Sequence, residues 1–208
     1  MSSAASPRPV ERPEFEVAII GAGPGGIAAG VKLKRAGIDD FVVLERADEV
    51  GGSWHENHYP GLGVDIPCYA YQSVSVPGLP NRWTLVGPYS WTGSGWHAFV
   101  EMTADHAVRA ITEAKRRAAT AVEVKRSRHD AYHRDIHRRG AALRYYLAEL
   151  NGHVPTYYRN SRGDTTYVRP SGFFEARRGN RRFPLDDYDY RSLNSETLSG
   201  TTTSARPA

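Results

Sequence analysis

The sequence predicts an α/β fold, with a small parallel sheet crossed by a helix, then C-terminal helices and an irregular tail. Three observations predict it. A short apolar run, Phe15–Ile20, leads through a glycine-rich turn and an apolar helical stretch into a second apolar run, Phe41–Leu44. The segment Trp96–Arg117 carries Val100, Ala104, Ala107, Ile111 and Ala114 at helical spacing. Residues Ala142–Arg191 are rich in Tyr, Phe and Arg and read as irregular chain or short strands.

In chain order, Met1–Pro13 holds three prolines among small polar residues and reads as an unstructured tail. Phe15–Ile20 is the first strand and Gly21–Gly26 the turn. Gly25–Ala36 is a helix with Ile27, Ala28 and Val31 on one face, and Gly37 sits where a helix-ending glycine belongs. Phe41–Leu44 is a second buried strand. Residues 45–80 are loop-rich, and Trp83–Val86 is a third strand candidate. After the long helix comes a second one, Lys125–Arg139, stopped at Gly140. Ser192–Ala208 is mostly Ser, Thr, Gly and Pro, with little to bury. The expected division is a 1–13 tail, a βαβ segment over 14–72, a packing segment over 73–191 and a 192–208 tail.

Composition excludes several classes. With 208 residues, 40% hydrophobic and 24% charged, one compact core is feasible and wholesale disorder is not expected. Cys68 is the only cysteine, so neither an intrachain disulfide nor a cysteine-based zinc site can form. The longest charge-free apolar stretch, Val17–Val31, contains five glycines and a proline and is too short to span a bilayer. No signal peptide, no membrane span and a cytoplasmic location are therefore expected. Net charge is +4 but uneven: residues 1–80 hold ten acids and six bases, while residues 108–145 hold eleven bases and four acids. That basic stretch suits a solvated helix face or a phosphate-bearing partner. It lacks interleaved aromatics, so no nucleic-acid partner is expected.

The first sixty residues carry the chemistry. Gly21, Gly23, Pro24, Gly25 and Gly26 form a G-x-G-x-x-G turn between strand and helix, and Glu45 comes 19 residues after Gly26 at the next strand's tip. This is the dinucleotide fingerprint in its required context. Gly23 lets a pyrophosphate approach the backbone, and Gly26 lets the helix lie close on the sheet. The helix start offers free N–H groups and about half a positive charge. Glu45 is placed to accept both ribose hydroxyls.

The residues after Glu45 narrow the cofactor. The run Glu45-Arg46 through Gly51-Gly52-Ser53-Trp54 resembles the part of two-dinucleotide flavoproteins where a Gly-Gly pair passes the flavin diphosphate. Trp54-His-Glu-Asn57-His-Tyr59-Pro60-Gly61…Asp65…Tyr71 resembles the N-terminal FAD segment of class B flavin monooxygenases of the Baeyer–Villiger type. The resemblance implies a Rossmann-like FAD unit. Ser53 and Trp54 would line the flavin, Asp65 would be catalytic, and Tyr71 would contact the cofactor. Pro80–Gly93 is similar to the family's C-terminal part, where a strand, a turn here formed by Gly87 and Pro88, and a helix start face the flavin. Ala121–Val124 matches the start of a further helix. The resemblance also implies an NADPH- and oxygen-dependent oxygenation of a small organic substrate, a ketone or a heteroatom.

The family's pattern jumps between Gln72 and Ser73. Its middle, which carries the NADPH-binding βαβ unit, has no counterpart. The expectation is an FAD-binding chain without an NADPH site and without coupled turnover of its own. The alternative is a non-catalytic flavin-binding or interaction module with a basic helical surface. Gly93-Ser-Gly95-Trp96-His97-Ala98 nominally repeats the fingerprint, but Trp96 is bulky where a pyrophosphate would approach. His129, His133 and His137 share one helix face, yet Arg126, Arg128, Arg134 and Arg138 crowd that helix, and no metal is expected.

Overall fold

The computed structural model of the chain describes residues 13–52, 70–90, 95–154, 165 and 169–192. In order these form β1 (Val17–Ile20), α1 (Pro24–Arg35), β2 (Phe41–Leu44), α2 (Trp96–Arg116), β3 (Ala121–Val124) and α3 (Arg126–Arg139). Then come α4 (Ala141–Arg144), a π-helical turn (Tyr145–Leu150), α5 (Phe173–Arg182), a 3₁₀ turn (Leu185–Asp187) and β4 (Tyr188–Arg191). β1 and β2 pair in parallel, Val17 opposite Phe41 through Ile20 opposite Leu44. β3 and β4 pair antiparallel, Ala121 opposite Arg191 through Val124 opposite Tyr188. The fold is α/β, as expected. Both proposed tails fall almost wholly outside the described residues.

α1 begins with proline in its first turn and ends in a left-handed glycine. Gly37 takes φ +74° and donates to Lys34 O, while Ile38 donates to Leu33 O. This double bond closes the helix, and the Leu33 and Ile38 side chains pack together beneath it. The face that meets the sheet differs from the expected one. Gly26, Ala29, Gly30 and Leu33 are buried, whereas Ile27 and Val31 are exposed. Small residues win that face because they let helix and sheet approach closely. A Cβ on Gly30 would stand 3.2 Å from the Phe41 ring. β2 is likewise not fully buried: Leu44 is 51% exposed and Ile20, its partner on β1, 80%. Two strands with no third neighbour among the described residues leave these side chains uncovered.

α2 is the axis of the molecule. Val100, Ala104, Ala107 and Ala114 are buried as the spacing predicts, and Ile111 is partly buried. Phe99, Met102, Thr103, His106 and Ala110 are buried too, so the helix is covered on more than one face. Asp105 pairs with Lys32 of α1 at 2.6 Å and with Arg181 of α5 at 2.7 Å. Among the described residues no helix is long and apolar enough to cross a membrane.

The C-terminal half corrects several expectations. Ala121–Val124 is a strand rather than a helix start: Val122 and Val124 suit an extended chain, and Tyr188–Arg191 supplies the partner. Trp83–Val86 is not a strand, because Asn81 and Val86 adopt φ +58° and the chain turns there. Asn81 instead occupies the free edge of β3. Its backbone N–H donates to Val122 O, its Oδ1 accepts from Val122 N–H, and its Nδ2 donates to Thr120 O, each at 2.8 Å. Phe173–Arg182, expected as irregular, is a helix that buries Ala176 and Asn180.

Beneath α5 a buried polar chain holds the core. The Asn180 amide donates to Ala176 O, which leaves its Oδ1 to accept from His106 Nδ1 at 3.1 Å. His106 Nε2 then accepts from the Tyr188 hydroxyl at 2.7 Å, and Tyr188 in turn bonds Ser75 at 2.6 Å. This arrangement fixes a neutral imidazole, with the tautomer set by the network. The ring stacks on Phe183 at 3.9 Å. Burial pushes His106 down from 6.5 to about 3.

Stability should therefore depend on pH. Between pH 6.5 and about 3 the unfolded chain takes up a proton that native His106 refuses, so its contribution is complete above pH 6.5 and is lost as the pH falls. At roughly 1.4 kcal/mol per unit, this amounts to about 5 kcal/mol. Glu113, held down to about 2 by hydrogen bonds from Arg116 and Arg117, adds loss of the same sign below pH 4.5. Urea midpoints should fall steadily from pH 7 to pH 4; a flat profile contradicts the neutral buried imidazole. Asn81→Ala should cost about 2 kcal/mol by urea titration, since it strips β3 of two edge hydrogen bonds.

Candidate nucleotide-binding site

The site is built where β1 runs out. Gly21 turns the chain with φ +94° and donates to Leu44 O at 2.7 Å, tying the turn to β2. Gly23 precedes α1 as its cap residue, no side chain caps the helix, and no acid stands in the first turn. The helix start therefore keeps its backbone donors and its partial positive charge for a ligand. Gly26 is sterically obligatory: a Cβ there would lie 1.9 Å from Gly21 O.

A second glycine pair closes over the first. Gly51 donates to Ala22 O at 3.1 Å, and the backbone of Gly52, at φ +59°, rests against Gly23. A Cβ on Gly52 would be 2.9 Å from Gly23 Cα, whereas a Cβ on Gly23 would meet Gly52 Cα at an ordinary 3.5 Å. Leu85 reaches the same corner, with its side chain 3.5 Å from the place a Gly25 Cβ would take.

Glu45 stands at the tip of β2, as the spacing predicts, but its carboxylate is already engaged. It accepts from Ala22 N–H at 2.6 Å, Arg46 N–H at 2.7 Å and Ala47 N–H at 3.0 Å. The expectation that it serves two ribose hydroxyls is thus narrowed. A carboxylate has about four acceptor sites, and three are used here. The Ala47, Ala22 and Arg46 donors hold its pKa below the usual carboxylate range. An ionised acceptor is therefore fixed within one hydrogen bond of the glycine turn.

The other expected residues divide. Ser53, Trp54 and Asp65 lie outside the described residues. Gly87 donates to Ser73 O at 3.0 Å, and no Cβ fits there; Pro88 comes next in the same buried turn. Tyr71 is not brought to the glycine turn. It is 4% exposed in the C-terminal core, and its hydroxyl donates to Asp187 at 2.5 Å. Its pKa is raised by burial first and by that carboxylate second. Gln72 and Ser73, where the sequence pattern jumps, form a tight turn with φ +50° and +68°, closed by Tyr71 and Ser75. Gly95 opens α2; Gly93 and Ser94 lie outside the described residues, and no strand occurs over residues 81–90 ahead of them. Among the described residues no cluster that could hold a metal ion occurs, the His129, His133 and His137 face included.

Sequence reasoning missed the groove beside the turn. Ile27, Val31, Val43 and Val50 line a cleft of about 400 Å³ with Glu45 at its edge. Their apolar character is visible in the sequence, but they lie on three separate segments, α1, β2 and the loop after it, and only the fold brings them together.

Comparison with known proteins supports this geometry. Residues 19–84 match the family model described as NAD(P)-binding Rossmann-like domain. A Baeyer–Villiger monooxygenase of Streptomyces coelicolor is 54% identical over 61 residues, 29% of this chain and 12% of the relative. The Baeyer–Villiger monooxygenase peniC of Penicillium patulum is 52% identical over 58 residues, 28% of this chain and 9% of the relative. One from Pseudomonas aeruginosa is 36% identical over 84 residues, 40% of this chain and 16% of the relative. Each match thus covers a small part of the relative's length. An oxidised steroid monooxygenase structure bound to NADP superposes with a TM-score of 0.48 at 16% identity, over 74% of this chain and 27% of that one, too low to equate the folds. Residues 19–84 thus resemble an NAD(P)-binding Rossmann-like domain, and a segment of this chain is similar to a short segment of the Baeyer–Villiger monooxygenases.

Proposed function

We propose that this chain binds FAD through its ADP half and derives from an NADPH-dependent Baeyer–Villiger flavin monooxygenase, without completing that reaction alone. The observation that carries the reading is the Glu45 carboxylate locked to Ala22 N–H beside an uncapped helix start. Those two features match the two ends of an adenosine diphosphate: anionic oxygens for the helix start, hydroxyl donors for the carboxylate. The residues present fit this half of the group, since the turn is made of glycine backbone and no side chain caps the helix start.

In this reading Gly23, Pro24, Gly25 and Gly26 present backbone to the diphosphate, and Gly52 flanks it. Glu45 uses its remaining lone pair for a ribose hydroxyl, with Arg46 beside it. Ser53, Trp54, Asp65, Gly87 and Pro88 are assigned to the flavin half by resemblance, Asp65 as the catalytic group. Tyr71, buried in the other core, supports the chain from behind rather than touching the cofactor. Bound FAD supplies two-electron redox chemistry at its ring. Oxygenation of a small organic substrate would further require a hydride donor and a wall that excludes water.

The test is flavin uptake. Purified chain incubated with FAD and desalted should retain visible flavin absorbance. Gly23→Ala should keep native circular dichroism, because a Cβ there meets Gly52 Cα at an ordinary 3.5 Å, and should lose the flavin. Glu45→Gln should weaken binding by roughly ten- to a hundredfold. Chain that never retains flavin, or a Gly23→Ala variant that retains it equally, overturns the reading. Gly26→Ala should instead prevent folding of the βαβ unit, read as loss of helical signal.

A further inference from the structure

A second cleft, of about 390 Å³, lies between α3 and α5 and shares none of the glycine-turn residues. Four arginines line it: Arg139, Arg169, Arg178 and Arg182. Both of its acids are already engaged: Asp135 pairs with Arg138 at 2.6 Å and more distantly with Arg139 at 3.5 Å, and Glu175 grips the Arg139 guanidinium with two oxygens at 2.5 and 2.8 Å. Arg178 and Arg182 project from α5 as exposed side chains and pair with no acid among the described residues.

Arg169 is the unusual member. It is 5% exposed, so its charge is nearly stripped of water. Nε donates to Ser171 Oγ at 2.9 Å and Nη2 to Gln72 Oε1 at 3.1 Å, both neutral acceptors, while Nη1 has no hydrogen-bond partner among the described residues. The guanidinium lies 5.6 Å from the centre of the Tyr132 ring. The position is built rather than incidental. Gln72 is held at φ +50°, and its amide lies against Gly179, where a Cβ would come within 2.7 Å of Oε1. The nearby Glu175 carboxylate feels the Arg169 charge but is itself gripped by Arg139, so this nearly buried cation has no acid of its own among the described residues, and an anion placed nearby relieves it. Tyr71, Tyr132 and Phe183 contribute aromatic wall to the same cleft.

We propose that this cleft is a binding site for a small organic anion. The oxyanion head, phosphate or carboxylate, is held by Arg178 and Arg182 at the rim against the fixed charge of Arg169, and the apolar or aromatic body lies along the tyrosines and Phe183. Guanidinium groups recognise both heads through paired N–H donors.

Calorimetric titration of the full chain with phenyl phosphate, benzoate, inorganic phosphate and phenol tests this and tells the heads apart. At least one aromatic anion should bind saturably and more tightly than inorganic phosphate, and phenol should not bind. The double variant R178Q/R182Q, altered only at exposed positions, should weaken that binding at least tenfold while its circular dichroism and flavin uptake stay unchanged. Arg169→Lys, which keeps the charge and loses the planar fork, should retain part of the affinity. The proposal is overturned by absence of saturable binding with both aromatic anions. Equal affinity for inorganic phosphate and phenyl phosphate, or unaltered binding in R178Q/R182Q, sinks it too.

Discussion

The closeness of α1 to the strand that precedes it is the constraint on which the N-terminal half depends. No side chain can stand at Gly26, because its Cβ would occupy the space of Gly21 O. That contact sets the helix start directly above the end of β1, and three further ties hold it there: Gly21 to Leu44, Ala22 to Glu45, and Gly51 to Ala22. The result is a rigid corner made of backbone, with its donors uncapped and a carboxylate fixed alongside. Rigidity of this kind lowers the ordering cost of binding, which is why a site can be made from so few residues.

The C-terminal half is organised differently, around buried polar groups. Asp187 receives the Tyr71 hydroxyl and an Arg128 ion pair at 3.0 Å, and the Asn180–His106–Tyr188–Ser75 chain runs through the same core. Satisfied networks of this type specify one packing, because any other leaves buried donors without acceptors. α2 joins the two halves. Its Val108 and Ile111 pack with the βαβ residues, and its Ala110 and Ala114 pack with β3 and β4.

The two halves also differ in how well they cover themselves. Ile20, Ile27, Val31, Val43, Leu44 and Val50 form an exposed apolar border around β1, β2 and α1. In a Rossmann-like unit such residues ordinarily meet further strands and helices. Here the described residues supply α2 on one side and nothing on the other, so the groove beside Glu45 stays open.

Local rules made the N-terminal half readable from the sequence. The glycine spacing, the acid 19 residues on, the helix-ending Gly37 and the bounds of β2, α2 and α3 all arise from steric and periodic preferences that act within a few residues. Tertiary structure decided the rest. Which face of α1 is buried depended on what packs against it, and small residues won over Ile27 and Val31. Ala121–Val124 became a strand only because Tyr188–Arg191, far along the chain, pairs with it. Tyr71 is buried in the C-terminal core by a hydrogen bond to Asp187, and Arg169 is held by neighbours distant in the chain, Gln72 and Tyr132, as well as by Ser171. Short-range geometry is written in adjacent residues, whereas burial and charge pairing are properties of contacts that exist only after the chain has closed on itself.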